Sequence, residues 1–244
     1  MAFTVFILQL AVRILSFPLY LLKFLGLWNQ ISKKWFPYYM MKFSATYNGQ
    51  MAGKKQELFS KLQDFAGPSG KLSLLEVGSG TGTNFKFYPP GCRVTCVDPN
   101  PNFEKFLFKS IAENRHLQFE RFLVAAGENM HQVADSSVDV VVCTTVLCSM
   151  ENQEQMLREV CRVLRPGGAF FFIEHVADKH STWNYFWQQV VEPAWYLVFD
   201  GCYLTRESWK ALERASFSKL KLQHIQPPLS CKVLRPHVYG YAVK

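Results

Sequence analysis

The sequence predicts an α/β fold: a doubly wound, mainly parallel sheet preceded by a hydrophobic N-terminal helix. Three observations carry this. From Leu72 onward, short β-branched runs alternate with amphipathic stretches, the pattern of strands joined by crossover helices. A Gly-rich turn, Gly78-Ser79-Gly80-Thr81-Gly82, follows the first of these runs, where a strand hands over to a helix. The run VDVVVCTTVL (138–147) is almost continuously apolar, as a parallel strand covered on both faces must be.

Residues 2–31 read AFTVFILQLAVRILSFPLYLLKFLGLWNQI, apolar apart from Arg13, Lys23 and a few neutral polar residues. No basic stretch precedes them and no Ala-x-Ala site follows, so a retained segment is expected rather than a cleaved signal. A spanning helix needs about 20 apolar residues to cross about 30 Å. Residues 2–22 nearly suffice, but Arg13 lies at their centre, where a charge costs at least ~2.5 kcal/mol. Pro18 adds a kink. Two geometries fit: a tilted span, or a bent helix in one leaflet with Arg13 and Lys23 snorkelling to the headgroups. A buried helix of a soluble protein would need a larger host than about 200 residues supply. Trp28, Lys33, Lys34, Trp35, Tyr38 and Tyr39 then form a basic and aromatic belt suited to the cytosolic interface. Residues 1–45 hold five cations and no acid, so they carry +5 of the chain's +8. Basicity concentrated beside an apolar run suits a membrane surface and not a nucleic-acid groove.

After this segment a helix is expected over about Met51–Phe65, stopped by Gly67-Pro68. LSLLEV (72–77) and RVTCVD (93–98) are the first two strands. NFEKFLFKSIAEN (102–114) is a helix with Phe103, Phe106, Leu107 and Ile111 on one face. LQFERFLVA (117–125) and VDVVVCTTVL (138–147) are the third and fourth strands. ENQEQMLREVCRVL (151–164), with Met156, Leu157, Val160 and Leu164 at helical spacing, is a helix ended by Arg165-Pro166-Gly167-Gly168. AFFFIEHV (169–176) is the fifth strand. Residues 178–203, rich in Trp and Tyr, form a helical cap; 205–215 form a helix with Thr205 as N-cap. Residues 219–226 and 236–243 supply the last two strands.

Hydrophobic residues make up 49% and charged residues 19%, which excludes extended disorder. The seven cysteines (Cys92, Cys96, Cys143, Cys148, Cys161, Cys202 and Cys231) include no Cys-x-x-Cys pair and have no histidine beside them at zinc spacing. Neither a disulfide framework nor a metal site is expected; buried, reduced thiols in a cytosol-facing domain are.

The informative stretch is Glu76-Val77-Gly78-Ser79-Gly80-Thr81-Gly82. Its spacing departs from the Gly-x-Gly-x-x-Gly of dinucleotide sites. An acid on the strand itself suits a ligand bearing an ammonium and repels a diphosphate. Asp98 closes the second strand, sixteen residues after Gly82, where a carboxylate can accept both hydroxyls of a ribose.

These residues resemble the class I S-adenosylmethionine-dependent methyltransferases, with their Rossmann-like fold, over residues 70–176. Beyond LEVGSGTG, the likeness includes VDVVVCTTVLCSM and REVCRVLRPGGAFFFIEHV. It implies S-adenosyl-L-methionine as cofactor, with Glu76, Gly78, Ser79 and Gly80 at its methionine moiety. Asp98 would hold the ribose, Pro99 and Asn100 would lie beside the adenine, and Ala126, Gly127 and Glu128 would line the ring's other side. The family often has Asp where Ala126 stands, so Glu128 or backbone must meet the exocyclic amine. Thr144 and Leu147 would fall near the sulfonium.

The whole chain resembles, more narrowly, the membrane-anchored thiol S-methyltransferases of the methyltransferase-like group, the A form especially. FILQLAVRILSFPLYLLKFLGLW, NFKFYPPGCRVTCVDPNPNFEKF, STWNYFWQQVVEPAW and RESWKALERASFSKLKLQHIQ carry that likeness. It implies a protein of the endoplasmic reticulum membrane and lipid droplets, its catalytic domain facing the cytosol. The implied acceptors are lipophilic alkyl thiols, with hydrogen sulfide as a further one. Residues 1–45 would be the N-terminal membrane-anchoring unit and 46–244 the methyltransferase domain, with 178–203 as substrate cap.

A thiol is partly ionised at neutral pH and its thiolate is strongly nucleophilic, so a dry, aimed pocket supplies most of what such a transfer needs. His175, beside Glu174 at the end of the fifth strand, is the candidate base or thiolate stabiliser; the alternative is a hydrogen-bonded strand-end histidine. Asp200, Tyr203 and Cys148 are secondary candidates, and His116, His131, His180, His224 and His237 read as surface or structural. A lipid or quinone O-methyltransferase is the main rival and would need a more committed base. A lipid-droplet scaffold with a vestigial domain would have no use for intact Glu76, Gly78, Gly80 and Asp98. A nucleic-acid amino-methyltransferase would carry Asn/Asp-Pro-Pro-aromatic where this chain has Thr144-Thr145-Val146-Leu147. No nucleic-acid partner and no metal are therefore expected.

Overall fold

A computed structural model describes residues 2–67 and 70–244. At its centre lie β1 (Ser73–Val77), β2 (Arg93–Val97), β3 (Gln118–Leu123), β4 (Val138–Thr144), β5 (Leu164–His175), β6 (Lys219–Ile225) and β7 (His237–Val243). They form one sheet in the order β3-β2-β1-β4-β5-β7-β6. Strands β1 to β5 pair in parallel, and β7 runs antiparallel between β5 and β6. The order reverses at β1, which places Glu76 between Cys96 of β2 and Val142 of β4. A crevice opens at the carboxyl ends of the strands at such a reversal, and ligands bind there.

Alternation along the strands fills two apolar layers. Val140, Val142, Phe171 and Ile173 face one way, onto Met51, Leu58, Phe59 and Leu62. Val141, Cys143, Phe170 and Phe172 face the other way. They meet α5 (Gln153–Val163) through Met156, Leu157 and Val160, and α7 (Ser208–Arg214) through Ala211 and Leu212. α4 (Glu104–Glu113) buries Leu107 in the first layer.

The alternating pattern holds, and two details of the reading do not. The expected helix at 51–65 is the end of a much longer one, α3 (Leu27–Phe59), followed by a single 3₁₀ turn at Leu62–Phe65. The turn-favouring Asn48 sits inside it because its side chain is used across the fold rather than locally: Nδ2 donates to the Thr83 carbonyl at 3.0 Å and Oδ1 accepts from Lys55 at 2.6 Å. α3 therefore runs straight through the expected boundary at 45/46. Of the Gly67-Pro68 stop, Pro68 lies outside the described residues. Thr205 is not an N-cap: α7 starts at Ser208, and the Thr205 N–H and hydroxyl both donate to Glu192 Oε2 at 2.7 Å.

The N-terminus forms α1 (Ala2–Leu15) and α2 (Phe17–Phe24), bent by 65° at Ser16 with Pro18 in the first turn of α2. Among the described residues no single helix is long and apolar enough to cross a membrane, though this bent pair qualifies by length and composition. One side of α1 packs Val5, Leu8 and Val12 onto Phe186 and Val190 of α6 (Trp183–Val198). Its other side leaves Phe3, Phe6 and Ile14 exposed, and Phe17 and Phe24 of α2 are exposed too.

Two prolines explain how these pieces dock. A proline inside a helix leaves the carbonyl four residues back without its N–H. Pro37 frees the Lys33 carbonyl, which accepts from Asn100 Nδ2 at 2.9 Å. Pro193 frees the Gln189 carbonyl, which accepts from Gln9 Nε2 at 2.9 Å. Each helix break thus becomes a tertiary tie.

Candidate active site

Where β1 and β4 part at their carboxyl ends lies a cavity with an empty volume of about 840 Å³. Glu76, Gly78, Ser79 and Gly80 of the β1 turn form one wall. Gly78 has φ +66°, and a Cβ there would lie 2.3 Å from Val146 Cγ2, so only glycine lets this turn close on the loop after β4. Glu76 Oε1 accepts from Asn84 Nδ2 at 2.7 Å, while Oε2, fully buried, makes no close hydrogen bond, with the Tyr88 hydroxyl beside the carboxylate. Asn84 also donates to Thr144 Oγ1 at 3.0 Å and accepts from Lys55 Nζ at 2.7 Å. Lys55 is only 1% exposed. Burial lowers its pKa to about 7 and raises that of Glu76 to about 7. A carboxylate and an ammonium joined through one amide give this wall the complement of a zwitterion.

Asp98 enters from the end of β2. Oδ2 accepts from the Gly80 N–H at 3.0 Å and Oδ1 from the Asn100 N–H at 2.9 Å, leaving each oxygen a further lone pair. Burial pushes it up to about 7 against those two bonds, and Asp200 adds to the rise. Asp200 lines the same cavity from the loop after α6, at φ +50°. The orphaned Glu76 oxygen, the glycine turn and the Asp98 carboxylate fit the amino-acid tail and ribose of S-adenosylmethionine.

A second, mostly apolar chamber of about 510 Å³ adjoins the first. Phe36, Met40, Phe43, Tyr47, Thr145 and Ser149 line both. The loop between them is strained: Thr145 has φ +57°. It is held because the Glu174 carboxylate accepts from the N–H groups of Val146 (2.9 Å) and Leu147 (3.1 Å). Beyond it Cys148, His175, Trp195, Phe199, Cys202 and His237 close the chamber. His237 Nδ1 can only donate to the Arg235 carbonyl (3.1 Å), so Nε2 accepts from the Tyr47 hydroxyl (3.0 Å). Burial lowers this imidazole to about 3 and keeps it neutral. At His175 burial opposes the charged form too, but neighbouring Cys148 and Glu174 outweigh it and hold its pKa above the ordinary value.

The structure gathers Glu76, Gly78, Ser79, Gly80, Asp98, Pro99 and Thr144 on the first cavity and His175 on the second. Others lie elsewhere. Leu147 is buried in the layer beneath α5. The Asn100 side chain is spent on the Lys33 carbonyl and on Asn102. Ala126 is exposed, and Glu128 Oε1 accepts from the Glu151 N–H at 2.9 Å, capping the approach to α5. Gly127 is a packing glycine, since a Cβ would meet Val77 Cγ1 at 2.9 Å. His237, read as surface or structural, is a chamber wall, and so is Cys148. Sequence reasoning missed the α3 side chains altogether. Phe36, Met40, Phe43 and Tyr47 recur at spacings of three and four, a helical stripe that could have been read as a wall.

Residues 75–172 match the family described as a methyltransferase domain. Thiol S-methyltransferase TMT1A of Homo sapiens is 80% identical over 244 residues, the whole of both chains. Thiol S-methyltransferase TMT1B of Homo sapiens is 56% identical over 238 residues, 98% of each. A SAM dependent methyltransferase from Aquifex aeolicus superposes with a TM-score of 0.54 at 15% identity, over 85% of this chain and 97% of that one.

Proposed function

The chain belongs to the thiol S-methyltransferase family of S-adenosylmethionine-dependent enzymes, and from that premise we propose that it methylates lipophilic thiols reaching it from a membrane. The cofactor supplies a methyl group activated on a sulfonium. Glu76 and Lys55 would hold its amino-acid end and Asp98 its ribose. The carrying observation is the wall between the cavities: Thr145 and Ser149 belong to both, so an acceptor in the apolar chamber and a cofactor in the first cavity would meet at these residues. Aromatic side chains keep the chamber dry, which favours an in-line displacement set up by positioning. His175 holds or takes the thiol proton.

The membrane part of the reading rests on α6. Its first turns present Trp183 and Trp187 outward, 76% and 49% exposed, alongside the uncovered face of α1. Its last turns give Trp195 to the chamber. α1, α2 and the start of α6 would lie in one leaflet of the endoplasmic reticulum or a lipid-droplet monolayer, so that acceptors partition there before entering. The test offers purified full chain an alkyl thiol, a phenol and a short RNA with labelled cofactor. Label on the thiol alone is expected, and label on the phenol alone would overturn the assignment. Deleting residues 1–28 should release the protein from microsomes; a truncated chain that still pellets with them refutes the anchor.

A further inference from the structure

Three ligand-type side chains converge in the acceptor chamber. Cys148 follows β4, His175 ends β5 and Cys202 follows α6, and one donor atom from each lies within 4.8 Å of the other two. His175 Nε2 is 3.0 Å from Cys202 Sγ. All three are at least nine-tenths buried, and two of them, Cys148 and His175, are incompletely satisfied. A thiol is a weak donor, the Cys148 sulfur finds Thr145 O and Ser149 Oγ only at 3.7 Å, and His175 Nδ1 has no hydrogen-bond partner. Zinc–sulfur bonds of about 2.3 Å and zinc–nitrogen bonds of about 2.0–2.1 Å place tetrahedral ligand atoms roughly 3.5–3.8 Å apart. His175 Nε2 and Cys202 Sγ, at 3.0 Å, would part by about half an ångström to admit the ion, and no pair of the three donor atoms lies farther apart than 4.8 Å.

We propose that Cys148, His175 and Cys202 bind one Zn²⁺, whose fourth position opens on the chamber and takes the acceptor thiol. Two thiolates and an imidazole in a four-coordinate frame suit zinc. Their two negative charges offset the ion's two positive ones, so the centre carries only the charge of its fourth ligand, hydroxide or thiolate. Three protein ligands and one open position are the pattern of catalytic zinc. Trp195 Nε1, which donates to Cys202 Sγ at 3.2 Å, is the outer contact that orients a ligand. The spacing hid the site: the three residues stand 27 positions apart in turn, unlike any zinc motif.

This rests on the thiol reading of the chamber. Hydroxide occupies the fourth position at rest; the arriving thiol gives it its proton, water departs, and the sulfur binds zinc as thiolate. A sulfur lone pair then forms the S–CH₃ bond as the methyl–sulfonium bond breaks, and that bonding pair neutralises the sulfonium. The thioether product is a weak ligand and leaves, and a new water that loses a proton to solvent restores hydroxide. His175 is here a ligand instead of a base.

The test loads the reduced full chain in detergent with Co²⁺, without cofactor or acceptor. One equivalent should bind, with tetrahedral d–d bands and thiolate-to-cobalt charge transfer that shift when an alkyl thiol is added. Cys148→Ser and Cys202→Ser should each lose most of the affinity, and the metal that still binds should show about half the charge-transfer intensity. Trp195→Phe should bind about 10-fold more weakly, and Cys161→Ser should bind as the unaltered chain does. Calorimetry with S-adenosylmethionine reports folding in every variant. An unaltered chain that takes up no Co²⁺, or cysteine variants that take up as much as the unaltered chain, overturns the site. Undiminished thiol methylation after complete zinc chelation overturns its role while the thiol reading stands. Full Co²⁺ uptake without any thiol methylation sinks the thiol reading instead.

Discussion

The two cavities share a wall, but the chain builds them by opposite routes. The cofactor cavity takes most of its polar groups from strand ends and the turns directly after them: Glu76 and the glycines after β1, Asp98 after β2, Thr144 at the end of β4; Lys55 of α3 and Asp200 after α6 are the exceptions. The acceptor chamber draws side chains from Phe36 on α3 to His237 on β7, nearly the whole length of the molecule. Backbone geometry fixes the first, and packing of separate elements fixes the second. Single polar substitutions should therefore disable the first, whereas the second should respond to changes of volume.

The largest effect is expected at Asp98. A hydrogen bond to a charged group contributes about 1.5–3 kcal/mol, and a ribose offers two hydroxyls. Asp98→Ala should weaken S-adenosylmethionine binding by roughly 100-fold or more, read by calorimetry. It also strips acceptors from the Gly80 and Asn100 N–H groups, so Asp98→Asn, which keeps one oxygen, separates binding from a loosened turn. Undiminished affinity in both variants would refute the ribose assignment. Phe199 supplies the contrast: it lines only the chamber and stands on Trp195 with ring centroids 4.0 Å apart. Phe199→Ala should raise KM for a long-chain thiol about tenfold and leave cofactor affinity as it was. A loss of cofactor affinity there would erase the distinction between the cavities.

That distinction also decided what could be read from the chain. Glu76, Gly78, Gly80 and Asp98 were legible because a strand followed by a turn fixes where the next few side chains go. Asn100 and Leu147 sit in equally recognisable stretches, but their side chains turn toward α3 and the core, and nothing local encodes that choice. The chamber was almost illegible. Tyr47 and His237 meet across 190 residues, and Cys148, His175 and Cys202 meet only because β4, β5 and the turn after α6 end at one level. The length of α3 was hidden by Asn48 and Gly49, which resemble a turn until Thr83 and Lys55 are known to claim the Asn48 side chain.

A smaller effect is expected where the two routes are tied together. Asn100→Ala removes the donor that satisfies the Lys33 carbonyl behind Pro37. It should cost about 1 kcal/mol, read in denaturant unfolding, and should lower cofactor affinity only as far as α3 shifts. Adding Pro37→Ala restores a helical N–H to that carbonyl and should recover part of the loss. No recovery would mean that the proline and the amide are independent.

The smallest effect is one of pH. In the cofactor-free chain burial holds Glu76 and Asp98 near 7, whereas a bound ammonium and ribose favour their charged forms. Binding must then release protons. Affinity should fall as pH drops through 7, by about threefold per carboxyl between pH 7.5 and 6.5. Lys55, also lowered to about 7, gains charge over that range and offsets part of the change. The stability of the cofactor-free fold has the opposite sign. Carboxyls whose folded pKa is raised stabilise the fold fully below their unfolded pKa, near 4, and that contribution is lost as pH rises through about 7. The rise in melting temperature produced by S-adenosylmethionine should therefore be larger at pH 8 than at pH 6. A shift that shrank with rising pH would mean that these two carboxyls do not meet the cofactor as ions. The cavity that strand ends build would then need another account of its charge.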